Sequence, residues 1–238
     1  MQGSVLIDGR RRSVVTMPGY RAGMKPANAG KLYPAEVPSR DEIHRLMAAL
    51  GRGAAGDRNR AAVVLMWRSG LRIAEALALA PKDLDLAAGT VTVLRGKGGR
   101  RRVVGIDPEG AAVIALWLER RRRLRIGPTR PLICVISQPT RGKPVYASVL
   151  REALKDAAAR AGINRRIHPH GLRHAFASEL AREGVPLPLI KQLLGHASLA
   201  TTERYLAALS PWEAIDAVRA RRWAPVAPPA ALEPILAA

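Results

Sequence analysis

The stretch HPHGLRHAFASEL, residues 168–180, decides how the rest of the chain is understood. It reads as a helix. Leu172 and Phe176, four apart, form a stripe that can anchor it to a core. His170 and Arg173, three apart, lie on adjoining parts of the helix surface. The chain has five histidines; three fall in this stretch and a fourth, His196, follows it. Such a density first suggests a metal. His170 and His174 have the four-residue spacing that zinc sites use, but no glutamate lies between them and no third ligand is spaced to match. No metal site is expected, and His174 is read as a structural histidine.

Composition narrows the field. At 238 residues, with 48% hydrophobic residues and a mean hydropathy of −0.03, the chain suits a soluble globular protein of one good-sized domain, or of one domain plus an appendage. Its apolar runs fall far short of the ~20 residues of a membrane span. The N-terminus lacks a signal-peptide layout. A single cysteine, Cys134 in PLICVIS, gives no disulfide framework and points to a reducing cytoplasm. The net charge of +20 and a pI near 11.5 call for a polyanionic partner, nucleic acid first. Seven of the 39 basic residues are lysines, leaving 32 arginines (39 − 7). Base-composition bias also produces that mix, so charge alone does not settle the partner.

Residues 1–38 read as a weakly structured basic segment. An Asp8-Gly9 turn suits a small hairpin, and prolines 18, 26, 34 and 38 break anything longer. Ser39 with Glu42 three residues on forms a capping-box signature opening a helix through Leu50. Further helices are expected at about 60–69, over LRIAEALAL, over EGAAVIALWLERRRR, and over SVLREALKDAAARAG. TVTVLRGKGGRRRVVGI reads as strand, glycine-rich turn, strand, and PLICVIS as a buried strand. Helices then dominate: GLRHAFASELARE, PLPLIKQLL, TTERYLAAL and PWEAIDAVRARRW. Residues 225–238 form a Pro/Ala-rich tail. The fold class is therefore α+β, mainly α-helical, with a small antiparallel sheet carrying a lysine hairpin. The Arg120–Arg123 run at a helix end reads as a solvated face.

Three further polar positions stand out. Arg72 follows Gly70-Leu71 at the start of an apolar helix, where backbone N–H groups favour an anion. Glu75, one turn on, can hold its guanidinium in place, or the two form an ordinary surface ion pair. Lys97 sits at the tip of the glycine-rich turn RGKGGR. Beyond them comes GHASLATTERYL, residues 195–206, in which Tyr205 follows His196 by nine residues.

Each feature is weak singly, but their order is specific: Arg in GLR-x-x-E, Lys in a G-K-G turn, H-x-x-R, L-G-H, then Tyr. The chain resembles the tyrosine recombinase (phage integrase) family over residues ~40 to ~222, and HGLRHAFAS and LLGHASLATTERYL carry the likeness most closely. The resemblance implies that Arg72 and Arg173 are the two catalytic arginines and Lys97 the hairpin lysine. It makes His170 and His196 the paired histidines and Tyr205 the nucleophile, with Glu75 supporting Arg72.

The chemistry fits those residue types. Attack on a phosphodiester builds negative charge on the non-bridging oxygens, and planar, permanently charged guanidiniums answer that need. A free phenol has a pKa of about 10, so Tyr205 needs a base or local positive charge. His170 is the candidate base, His196 a phosphate hydrogen-bonder and Lys97 the acid for the leaving 5′ oxygen. The implied product is a 3′-phosphotyrosine, religated by a second strand without metal, ATP or other cofactor.

The implied function is site-specific recombination or integration of double-stranded DNA by a homotetramer on paired sites, with accessory DNA-bending proteins, in the nucleoid-associated cytoplasm. The chain departs from most relatives in that residues 1–38 leave no room for a full core-binding domain, so residues 39–224 are expected to be a catalytic domain of the short type. Two other readings stay open. One is a type IB topoisomerase, which uses a similar residue set; the other is a DNA-binding regulator that kept the fold with little cleavage activity.

Overall fold

A computed structural model describes residues 37–94 and 101–195, all within the second of the two units into which the chain divides, Ala35–Ala238. Lys97, His196 and Tyr205 lie outside the described residues, as do the expected N-terminal hairpin, the helices after 200 and the C-terminal tail.

Helix α1, Arg40–Ala49, starts as its sequence signature requires. The Glu42 N–H donates to Ser39 Oγ at 3.2 Å, and the Ser39 N–H donates back to Glu42 Oε2 at 2.8 Å. Helix α2, Gly53–Trp67, begins seven residues earlier than the apolar pattern suggests. Two glycines in its first turn read as breakers. Arg60 offsets them by reaching back to the Gly51 carbonyl and to Asp57. The rest of α2, Ala61 to Trp67, is buried on all sides, because α4 and α6 pack against it. Such a helix shows no polar face in its sequence.

Helix α3, Ile73–Ala78, and a 3₁₀ turn at Pro81–Asp83 lead into the sheet. Strands β1 (Leu84–Asp85), β2 (Thr90–Val93) and β3 (Arg102–Gly105) form an antiparallel meander in that order. Val91 pairs with Val104 and Val93 with Arg102. Helix α4, Pro108–Arg123, is capped by Asp107, whose Oδ1 accepts the Gly110 N–H at 2.9 Å.

Two expectations need correction here. PLICVIS is not a strand: its only ladder contact is an isolated bridge between Cys134 and Pro144. Its backbone is satisfied by other means, since the Leu132 N–H donates to Leu79 O, and Trp117 Nε1 and Arg121 donate to Leu132 O. A short buried apolar run looks the same in sequence either way. Nor is the arginine run at 120–123 wholly solvated. Arg121 is 2% exposed and donates to the Gly127, Arg130, Pro131 and Leu132 carbonyls, closing the loop over the end of α4.

Helices α5 (Ala147–Arg160), α6 (Pro169–Arg182) and α7 (Leu187–Leu194) complete the described part. None of the described helices is long and apolar enough to cross a membrane. Leu172 joins the main core, while Phe176 belongs with Ile190 and Leu194 in a smaller cluster under α7. Glu179 ties α6 to α1 and α2, accepting from Trp67 Nε1 at 2.9 Å and from Arg40 at 3.2 Å.

Candidate active site

The α2–α3 turn is shaped by Gly70, at φ +63°. A Cβ there would lie 2.4 Å from the Phe176 ring, so no side chain fits and the turn presses directly on α6. The turn sets Arg72 at the N-cap of α3 and aims Glu75 back at it. The Arg72 N–H donates to Glu75 Oε2 at 2.8 Å, and Arg72 Nη1 donates to Oε1 at 2.9 Å. Glu75 is 6% exposed, so this pair is no ordinary surface contact.

Arg173, from the middle of α6, approaches the same carboxylate, with Nη1 at 3.7 Å from Glu75 Oε2. The sequence order thus becomes a spatial cluster of Arg72, Glu75 and Arg173. The Arg173 side chain is only 1% exposed, and it donates to Gly70 O and to Leu194 O at 2.5 Å each. In this state its guanidinium joins the α2–α3 turn to the last turn of α7.

A fourth member was missed. Arg102 on β3 makes a two-point pair with Glu75, Nη1 to Oε1 at 2.9 Å and Nη2 to Oε2 at 2.8 Å, and donates Nε to Leu193 O at 3.0 Å. Strand alternation held the signal. Arg102 and Val104 share the inward face of β3, while Val103 and Gly105 point out. Three consecutive arginines obscure that alternation.

Burial alone would raise the Glu75 carboxyl above its ordinary 4.5. The Arg102 fork, then the Arg72 N–H and the surrounding positive charge, outweigh it and bring the pKa to about 2. Three guanidiniums around one carboxylate leave a net positive pocket at every pH of interest.

His170 stands one turn before Arg173 on the exposed side of α6. Its ring meets His174 edge to face at 4.3 Å and lies 6.4 Å from His168. Although the residue reaches solvent, protein packed around its inner edge lowers its pKa below 6.5, and the charges of His168, Arg173 and Arg72 push the same way. It is therefore largely neutral at pH 7 and able to accept a proton. His174 is 7% exposed, in keeping with a structural place. His168 is the N-cap of α6: its Nδ1 accepts the Gly171 N–H at 3.0 Å.

Helix α7 ends at Gly195 in the left-handed conformation, φ +63°. A Cβ there would come within 3.3 Å of the Arg102 side chain. The residue before His196 is thus packed against the same arginine that grips Glu75.

This fold and cluster define a class. The chain belongs to the Phage integrase family, whose profile matches residues 37–210. It is 34% identical over 189 residues to the tyrosine recombinase XerD of Mycobacterium leprae, a match covering 76% of this chain and 59% of that protein. It is 35% identical over 185 residues to the tyrosine recombinase XerC of Xanthomonas campestris pv. campestris, covering 77% and 54%. The chain therefore spans little more than half the length of these relatives. Among solved structures, its fold matches the XerA recombinase with a TM-score of 0.67 at 28% identity, covering 83% of this chain and 70% of that one. It also matches the XerH site-specific recombinase bound to palindromic difH substrate, with a TM-score of 0.64 at 24% identity, covering 90% and 60%.

Proposed function

We propose that the chain is a site-specific DNA recombinase that cleaves and rejoins double-stranded DNA through a 3′-phosphotyrosine. The observation that carries this reading is the convergence of Arg72 and Arg173 on one buried carboxylate, Glu75. Arg72, with a side chain 29% exposed, offers a non-bridging phosphate oxygen the edge whose Nη2 now makes a long 3.5 Å contact to the Gly195 carbonyl. Arg173 reaches the phosphate when an oxygen of the substrate replaces the Leu194 carbonyl as its acceptor. His170 accepts or relays the Tyr205 proton. The phenolate oxygen then bonds to phosphorus as the P–O5′ bond breaks, with Lys97 giving the departing oxygen its proton. His196 steadies the negative charge that develops between those events. Attack by a second strand's 5′ hydroxyl reverses the steps and releases the tyrosine, so no metal or nucleotide is needed.

In this reading residues 39–224 form the catalytic domain, residues 1–38 are a basic flanking segment and residues 225–238 a tail. The partners are paired DNA sites bound by four copies, with DNA-bending proteins as accessories, in the nucleoid-associated cytoplasm. The relatives' names support the reaction class, and the net charge of +20 suits the substrate. The test is a nicked suicide duplex carrying the target site, recovered by mapping covalent attachment across the host genome. Wild type should give a protein–DNA adduct stable to denaturant, and Tyr205→Phe should give none. Absence of an adduct on every recovered site would overturn the reading.

A further inference from the structure

We infer that Arg102 is a positioning residue of the transesterification site, holding Glu75 so that Arg72 keeps one edge turned toward the scissile phosphate. The inference rests on the function proposed above.

Both edges of Arg102 are committed to protein. Its two terminal nitrogens bind both Glu75 oxygens, and its Nε–H is taken by the Leu193 carbonyl. With a side chain 12% exposed and all three nitrogens engaged, it is not itself a phosphate ligand. Its effect falls on the carboxylate. Oε1 accepts from Arg72 Nη1 and Arg102 Nη1, while Oε2 accepts from the Arg72 N–H and Arg102 Nη2.

Carboxylates prefer a two-point pair with one guanidinium. Here Arg102 supplies that pair, so Arg72 gives Glu75 a single side-chain hydrogen bond, and its Nη2 makes only a long 3.5 Å contact to the Gly195 carbonyl that a phosphate oxygen can replace. Without Arg102, Glu75 would turn to make the two-point pair with Arg72. The nitrogens meant for phosphate would then be drawn away from it. The Leu193 contact fixes Arg102 in turn, because it ties β3 to the end of α7.

The test compares Arg102→Met and Arg102→Lys with wild type on two suicide duplexes. One carries the normal scissile phosphodiester. The other carries a methylphosphonate there, in which a methyl group replaces one charged non-bridging oxygen. Arg102→Met should slow adduct formation about 100-fold on the phosphodiester, as misplacement of a catalytic group does. It should slow the methylphosphonate less than about 10-fold, because that substrate asks less of Arg72. Duplex affinity should stay near that of wild type, and Arg102→Lys, which keeps the charge but not the fork, should fall between.

Equal slowing on both substrates, or loss of the cooperative urea transition in both variants, would make Arg102 a folding residue only and overturn the inference. Wild-type rates on the phosphodiester would overturn it too. Failure of wild type itself to form an adduct on either duplex would instead remove the recombinase reading, and this inference with it.

Discussion

Arg102 and Glu75, 27 residues apart in sequence, meet as a two-point ion pair of 2.8 and 2.9 Å on the inner side of a three-stranded sheet. The carboxylate at its centre also receives Arg72 and lies near Arg173, so one acidic residue organises positive charge from three separate elements. Buried charges are retained only when paired and hydrogen-bonded, and each oxygen of Glu75 accepts twice.

The pair sets an acid limit on stability. With a folded pKa of about 2 against an ordinary 4.5, Glu75 contributes on the order of 3 kcal/mol above pH 4.5. That stability is lost as pH falls from 4.5 through about 2. Urea denaturation across that range should show a decline that Glu75→Gln reduces, the remainder belonging to Glu42, Asp57 and Asp107, whose carboxyls also sit below their ordinary values. Glu75→Gln should itself cost about 3 kcal/mol at pH 7, since it leaves buried guanidiniums uncompensated.

Gly70→Ala introduces a methyl 2.4 Å from the Phe176 ring at a left-handed backbone position. We expect a loss of about 2–4 kcal/mol, combining overpacking with the strained φ. In a Phe176→Ala background the same substitution should cost only about 1 kcal/mol, because the backbone strain remains after the collision is gone. A double-mutant cycle by urea denaturation reads both numbers.

Activity should fall at acid pH through His170. Its lowered pKa keeps the ring neutral above 6.5, and protonation as pH drops through the lowered value would remove the base of the proposed mechanism. The same sign holds for stability, which is complete above 6.5 and erodes as the ring is forced to charge. The rate of adduct formation against pH should lose its acid limb below 6.5 in His170→Gln.

Arg121→Met gives a contrast, since it touches no member of the cluster. Its guanidinium closes the loop at 127–132 through four carbonyls, so its loss should cost about 3 kcal/mol in urea denaturation. The rate of adduct formation per folded molecule should be unchanged.

Much of this was legible in the sequence, for identifiable reasons. The α1 capping box, the hairpin strands and α6 carry local signals in their spacing or caps, and the structure has them where those signals lie. Arg72 and Glu75 were readable as a pair because they share one turn. Their burial was not, because it comes from β3 and α7, which are distant in sequence. PLICVIS misled for a similar reason: loop carbonyls and an arginine satisfy its backbone where a strand ladder was expected. Arg102 stayed hidden beside Arg101, and Arg121 beside Arg122 and Arg123, neighbours that all face water.

Gly195 has a practical meaning for protein engineering. The chain leaves helix α7 at a left-handed residue beside the Arg102 side chain, which gives the segment that follows a defined starting point. Inserting or deleting residues between Gly195 and Tyr205 would change the number of residues that separate this starting point from the proposed nucleophile. A graded series of such variants, scored by the rate of adduct formation, would measure how strictly the proposed chemistry depends on that spacing.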